Sequence, residues 1–201
     1  MNFKYFDDYK RLSSLTDEKV LCEFCNQVKT CFDTTFYGKE EIKHICPQCL
    51  FDKKLYTRQA YTNNGDSYTL LIQIKDIYKH LTEEQQNELT NERTKELEQA
   101  TPSLITWQDM NWLCLDGDYA KFIGYGSKPF LNSLAENGNG QNLFRNSLHP
   151  DLQEYYSEEQ WIEMVPDKLI VDYNQSSCYG TLFYIFKSLT TDKIAIWWDC
   201  D

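Results

Sequence analysis

Two Cys-x-x-Cys pairs constrain this chain more than any other feature of its sequence. Cys22 and Cys25 form the first pair, Cys46 and Cys49 form the second, and twenty residues separate the two pairs. A two-residue gap lets both sulfurs of a pair turn toward one ion, so two pairs supply the four thiolates of a tetrahedral zinc site. Four thiolates leave no position for water or substrate. The spacing therefore predicts one structural Zn²⁺ ion held by these four cysteines.

The other ligand-type residues give no comparable pattern. Cys31 and His44 lie between the paired cysteines, and we assign both to bystander roles. Cys114, Cys178 and Cys200 are isolated in the sequence, where a cysteine is most often a small buried apolar residue. Two accidental pairs of buried thiols, a redox pair, or iron in place of zinc remain as alternatives for the paired cysteines.

The remaining composition indicates a protein that is neither exported nor inserted in a membrane. The first residues contain no apolar run after basic residues, and no stretch approaches the roughly 20 apolar residues of a membrane span. We therefore expect a cytoplasmic location, where cysteines serve as metal ligands or free thiols rather than disulfides. The formal net charge of −11 argues against binding to nucleic acid or anionic lipid and favours a basic partner, although solubility alone also explains it.

Changes of pattern along the chain predict an α+β fold in a single domain over 1–201. A zinc-ribbon-like module covers 1–60, with short β-prone pieces such as 34–37, and it packs on an α+β body over 61–201. Apolar residues at spacings of three and four predict a helix over 67–80.

Capping signals and turn residues place the other elements of the body. Thr82 with Gln85 predicts a capping box for a second helix, which ends before Pro102, and a short helix follows Ser157 in the same way. Strands are predicted at 121–126, 180–188 and 194–198, the last two forming an antiparallel hairpin at the end of the sequence.

Several strings of residues, taken together, resemble the CbrC family of small bacterial proteins, which is named for a member linked to tolerance of a nuclease colicin. The strings are Phe3-Lys4-Tyr5-Phe6-Asp7, the first cysteine pair, Phe36-Tyr37, Ile45-Cys46-Pro47-Gln48-Cys49, Thr101-Pro102, Trp107-Gln108, Trp112-Leu113 and Phe122-Ile123-Gly124-Tyr125. The resemblance covers nearly the whole chain. It implies a bacterial zinc-binding protein.

The chain departs from this family at a second set of cysteines that many members carry. Asp116, Ala120, Ser188 and Thr191 stand where the resemblance would place those four cysteines. Joint loss is expected if the four residues share one ion, because three thiolates without the fourth make a poor site. We therefore expect one metal site in this chain rather than two, with the terminal hairpin held by apolar packing.

No motif of catalysis is present, so we expect a binding protein rather than an enzyme. The chain has no phosphate loop, nucleophile elbow or His-Glu-x-x-His string. The resemblance and the negative charge together favour an immunity protein that binds and blocks a basic toxin domain, such as a nuclease. The alternatives are a stand-alone structural zinc protein in an envelope or stress response, and an enzyme whose pocket the sequence does not reveal.

Two acidic segments are candidates for the partner-binding surface. The candidate residues are Glu83, Glu84, Glu88, Glu92 and Glu96 on the second helix, and Asp116 and Asp118 in a loop. A solvated face is the simpler interpretation of both segments.

Overall fold

The computed structural model describes residues 1–33, 36–153, 156–176 and 180–200. The β-prone residues Thr34 and Thr35 and the isolated Cys178 lie outside these ranges. The described helices are α1 (Tyr9–Leu12), α2 (Pro47–Phe51), a 3-10 helix (Lys54–Thr57), α3 (Ser67–Ile77), α4 (Glu83–Ala100), α5 (Lys128–Leu134), α6 (Gly140–Ser147), α7 (Pro150–Gln153), α8 (Glu158–Glu163) and α9 (Tyr173–Ser176). The described strands are β1 (Leu15–Leu21), β2 (Val28–Phe32), β3 (Tyr37–Gly38), β4 (Ala60–Tyr61), β5 (Cys114–Leu115), β6 (Asp118–Tyr119), β7 (Lys121–Tyr125), β8 (Thr181–Lys187) and β9 (Ile194–Cys200).

The strands pair into small antiparallel sheets, which confirms the α+β class. β1 pairs with β2, β3 with β4 and β5 with β6, while β7, β8 and β9 form a three-stranded sheet in that order. The predicted terminal hairpin is confirmed as β8 and β9, with Thr181 opposite Cys200 and Lys187 opposite Ile194. The predicted strand at 121–126 is β7, an edge strand of this sheet, and its pairing with β8 has a register shift beside Gly124, whose φ is +146°.

The two faces of the three-stranded sheet carry separate apolar clusters. Phe183 and Ile185 of β8 pack into one cluster with α5 and α6, while Tyr184 and Phe186 pack into the other. Neighbouring residues of a strand project to opposite faces, so an apolar run such as β8 indicates a sheet that is covered on both sides.

The larger cluster joins the amino-terminal module to the body of the fold. It contains Phe3 and Phe32 from the module together with Leu97 and Trp112 from the body. The first residues also enter the sheet region, because Phe122 N donates to Tyr5 O at 2.9 Å and Asp7 N donates to Phe122 O at 2.9 Å. The module is thus packed on the body as the sequence predicts.

The capping boxes form at both predicted positions. In α4, Gln85 N donates to Thr82 Oγ1 at 3.2 Å and Thr82 N donates to Gln85 Oε1 at 2.9 Å. Ser157 and Gln160 make the same reciprocal bonds in α8. The helix predicted over 67–80 ends earlier, at Ile77, where the Gln86 side chain donates to Tyr78 O and satisfies a carbonyl at the helix end.

The described helices include none with the length and apolar content that crossing a membrane requires.

Candidate metal centre

The first cysteine pair lies in the turn between β1 and β2. Cys22 N donates to Gln27 O at 3.0 Å, and Asn26 N donates to Cys22 O at 2.9 Å. Asn26 has a φ of 52°, a left-handed conformation that asparagine tolerates better than most residues. This tight turn brings Cys22 and Cys25 to the same side of the hairpin end.

The second pair lies at the beginning of α2. Cys46 is the N-cap residue, Pro47 occupies the first helical turn, and Leu50 N donates to Cys46 O at 3.1 Å. Residues three apart share one face of a helix, so Cys46 and Cys49 present their sulfurs together. The second pair is therefore positioned by a helix start rather than by a second hairpin.

Backbone contacts hold the two pairs against each other. Phe32 N donates to Ile45 O at 3.0 Å, which adds the residue before Cys46 to the edge of β2. The carboxylate of Glu23 accepts hydrogen bonds from Lys43 N at 2.6 Å and His44 N at 3.2 Å. The proximity of the pairs is thus fixed by the chain itself.

The four sulfurs form a compact quartet. The Sγ atoms of Cys22, Cys25, Cys46 and Cys49 all lie within 4.8 Å of one another, and those of Cys25 and Cys46 are 4.0 Å apart. A tetrahedral zinc ion with Zn–S bonds of about 2.3 Å separates its sulfurs by about 3.8 Å. The quartet therefore fits a metal ion of this size, and its four soft donors suit zinc.

Electrostatics also favour a cation between these sulfurs. Burial raises the pKa of Cys22, but N–H groups of Cys46, Phe24 and Cys25 outweigh it and lower that pKa to about 7. The pKa of Cys49 is raised by burial and then by hydrogen bonding and charge interactions with the neighbouring sulfurs. Four adjacent thiolates repel one another, so full deprotonation of the quartet requires a bound cation.

The two bystander residues lie beside the quartet. Cys31 is fully buried in β2, and its Sγ is 3.6 Å from Lys29 O. Burial, and next the charges of Cys22 and Cys46, raise the pKa of Cys31 to about 12, which keeps it a neutral thiol. Among the described residues, neither Cys31 nor His44 belongs to the group of potential metal ligands.

Three of the four residues at the expected second cysteine set form a polar cluster. Ser188 Oγ donates to Asp116 Oδ2 at 2.7 Å, Thr191 Oγ1 donates to the same oxygen at 2.6 Å, and Lys193 forms an ion pair with Asp116. Burial opposes ionisation of Asp116, but hydrogen bonds from Lys193, Thr191 and Ser188 outweigh it and lower its pKa to about 2. Ala120, the fourth position, is fully buried.

The remaining described cysteines lie apart from the quartet. Cys114 is half-buried in β5, and burial raises its pKa. Cys200 is exposed at the end of β9 rather than buried, unlike the expectation for an isolated cysteine. Neither residue belongs to a group of potential metal ligands within the described ranges.

The predicted acidic surface divides into exposed and occupied residues. Glu83, Glu84, Glu88 and Glu92 are exposed along α4. Glu83 lies 3.6 Å from the ammonium group of Lys75.

Glu96 and Asp118, by contrast, are occupied by contacts inside the protein. Glu96 lies between two ammonium groups, 3.4 Å from Lys4 and 3.2 Å from Lys53. The structure buries Asp118 in β6, where it accepts a hydrogen bond from Tyr5 Oη at 2.8 Å. Its other oxygen is 3.2 Å from Lys4 Nζ and 3.4 Å from Arg93 Nε.

The structure therefore places neither Asp116 nor Asp118 on an open, solvated loop. Asp116 is half-buried and held by the residues of the β8–β9 turn. Local sequence gives no signal for the burial of Asp118, because its partner Tyr5 is 113 positions away.

Comparison with known proteins identifies a sequence family for the chain but no solved structure of similar fold. No solved structure matches it. The model of the family described as Uncharacterised protein family (UPF0167) matches residues 1–200, and the chain therefore belongs to this family.

Proposed function

We propose that this chain is a non-enzymatic, zinc-stabilised immunity protein that neutralises a bacterial toxin by direct binding. We further propose that its family is the CbrC family, which the sequence resembles over nearly its whole length. The match to a family model over residues 1–200 supports a single family domain. The proposed location is the cytoplasm, and the proposed partner is a basic toxin domain.

The quartet of cysteine sulfurs is the observation that supports a structural role for zinc. Four thiolates complete a tetrahedral shell, so an ion held by Cys22, Cys25, Cys46 and Cys49 binds neither water nor substrate. We expect about one zinc ion per chain in protein purified without chelator, measured by plasma mass spectrometry. A metal-free protein, or two ions per chain, would contradict this part of the proposal.

The negative charge supports the proposed partner. A net charge of −11 accelerates encounter with a cationic protein surface, and a nuclease needs such a surface to attract nucleic acid. The exposed carboxylates of Glu83, Glu84, Glu88 and Glu92 are the proposed steering groups on α4. Apolar and aromatic contacts would supply the lasting affinity.

The test begins with the reading frame next to the gene. If it encodes a toxin, the chain should bind the purified toxin domain with submicromolar affinity and protect cells that express it. The Glu84→Gln and Glu88→Gln double variant should slow association, with a weaker dependence on salt. A change of two exposed charges outside α4, Asp17→Asn with Glu41→Gln, is the matched control.

Failure to bind and to protect would contradict the immunity role. A chain that retains zinc but lacks both activities would belong to the alternative class, a stand-alone structural zinc protein in an envelope or stress response.

A further inference from the structure

Two adjoining cavities lie beside the irregular segment 104–112. Both are lined by Asp109, Met110 and Trp112. The smaller cavity, of about 200 Å³, extends to β3 and β4, and the larger, of about 690 Å³, extends to α3 and β9. We call these two cavities together the Asp109 groove.

The walls of the Asp109 groove are rich in aromatic rings. The rings of Tyr37 and Tyr61 stack at a centroid distance of 5.5 Å and an angle of 18°, and Tyr37 is 40% exposed. In the larger cavity, His149 packs edge-on against Trp197 at 5.2 Å. Exposed flat rings are surfaces on which a planar guanidinium group stacks well.

The charges in the Asp109 groove have one sign. Asp66, Asp109 and Asp151 line it, whereas no lysine or arginine does so among the described residues. Asp66 is engaged in capping α3, and Asp151 lies 3.6 Å from the imidazole of His149. Asp109 is exposed and joins no ion pair within the described ranges. A cation entering the groove would therefore find one carboxylate without a partner.

The charge of Asp109 affects Tyr37, the exposed ring of the groove. Burial, and next the charge of Asp109, raise the pKa of Tyr37. Tyr37 and Asp109 line the same small cavity, so an anionic group and a partly exposed ring face one space. This arrangement suits a guanidinium group, which both stacks on rings and pairs with carboxylates.

Buried contacts hold the segment that forms the rim. Asp199 is only 1% exposed, and its Oδ2 accepts hydrogen bonds from Trp107 N at 2.9 Å and Gln108 N at 3.3 Å. At the other end of the segment, Trp112 N donates to Asn64 O at 2.8 Å. The groove is thus formed before any partner binds, which lowers the entropic cost of binding.

We propose that the Asp109 groove binds an arginine side chain of the partner protein, between the carboxylate of Asp109 and the ring of Tyr37. The inference rests on the proposed function for the identity of the partner, a basic protein. It adds the chemical group that is recognised and the surface that recognises it.

A peptide titration tests the groove without the toxin. The probe is a blocked pentapeptide with one arginine between glycines, added to the full ¹⁵N-labelled protein. We expect shifts at the amides of Asp109 and Met110 and at the Trp112 indole. The same peptide with citrulline, which has a similar shape but no charge, should bind much more weakly. Equal shifts with both peptides, or shifts confined to other surfaces, would overturn the inference.

Matched variants give the second measurement. Asp109→Asn should lower the affinity for the arginine peptide about fivefold, which is in the upper range for a solvent-accessible ion pair. Asp17→Asn removes the same charge from an exposed position outside the groove and should leave the affinity unchanged. Equal affinities for wild type and Asp109→Asn would overturn the inference.

Measuring toxin binding by wild type and Asp109→Asn distinguishes an error in the groove inference from an error in the proposed function. If Asp109→Asn binds the toxin domain as tightly as wild type does, the groove is not the contact and the immunity role stands. If wild type binds no toxin but retains the arginine peptide, the immunity role falls and arginine recognition by the groove stands.

Discussion

The backbone N–H of Cys46 donates to the sulfur of Cys22 at 3.3 Å, so a hydrogen bond joins the two cysteine pairs directly. Hydrogen bonds from backbone N–H groups stabilise a thiolate. The same bond places the helix start of α2 beside the turn between β1 and β2. The protein therefore brings its ligands together with its own backbone, and a metal ion would lock an arrangement that is already formed.

Loss of one sulfur from the quartet should abolish metal binding. We expect Cys49→Ser to reduce bound zinc from about one ion per chain to a trace and to lower the melting temperature, because three thiolates hold zinc poorly. Cys31→Ala, in the same module, should retain the ion. Plasma mass spectrometry and thermal unfolding measure both quantities, and retention of a full ion by Cys49→Ser would contradict the assignment.

Asp118→Asn should destabilise the fold. The substitution leaves Arg93, whose side chain is 15% exposed, without its buried carboxylate, and breaking such a buried pair costs about 3 kcal/mol. Urea unfolding measures the loss. Glu92→Gln removes an exposed carboxylate and should change the free energy of unfolding by less than about 0.5 kcal/mol. Similar small effects for both variants would show that Asp118 is not the structural anchor.

The contribution of Asp116 should depend on pH. Its pKa of about 2 in the folded protein lies below the ordinary value of 3.8, so its ionised form stabilises the fold above pH 4. This stabilisation decreases as the pH falls from about 4 toward 2. Asp116→Asn should therefore be less stable than wild type at pH 7, and the difference should shrink at pH 3.

The quantity to compare is the difference in the free energy of unfolding between wild type and Asp116→Asn, because acid also protonates the cysteine thiolates in both proteins. Urea unfolding at pH 7, 4 and 3 measures it. A difference that stays constant over this range would contradict the role of the Asp116 carboxylate.

Removal of the Thr82 cap should weaken α4. Thr82→Ala leaves Gln85 N without its acceptor and should lower the free energy of unfolding by about 1 kcal/mol. Thr82→Ser keeps a hydroxyl at the same position and should restore most of that loss. Chemical denaturation compares the two variants, and equal losses would indicate that the hydroxyl does not cap the helix.

Side chains on the two faces of β8 should contribute similar amounts to the free energy of unfolding. Phe183→Ala and Phe186→Ala each delete a fully buried ring, and each should cost about 3–5 kcal/mol. Ile162→Ala, at a side chain that is 65% exposed, is the control and should cost much less. If only one phenylalanine mattered, the sheet would be supported from one side alone.

The features that sequence analysis predicts are those with a local signal. The spacing of Cys22, Cys25, Cys46 and Cys49 predicts their proximity, because each pair needs only one turn to present both sulfurs. The helix starts at Thr82 and Ser157 follow from hydroxyl and amide side chains three residues apart. Two apolar, β-prone stretches on either side of the turn at 190–193 predict β8 and β9 in the same way.

The features that it misses depend on distant parts of the chain. Asp118 resembles a solvated loop residue until Tyr5 and Arg93 are brought beside it by the fold. The pairing of β7 with the terminal hairpin places Lys121 opposite Lys187, and no short sequence pattern encodes that pairing. The Asp109 groove is likewise assembled from segments that are far apart in the sequence.

The position of β8 in the middle of its sheet has a consequence for biosynthesis. The central strand is made after both β7 and the residues around Tyr5 and Phe6, which contact β7 at Phe122. We therefore expect the apolar side chains of these earlier segments to stay exposed during translation until β8 is made, whereas the cysteine module can fold first. Nascent chains of this protein should therefore be vulnerable to aggregation until β8 and β9 emerge.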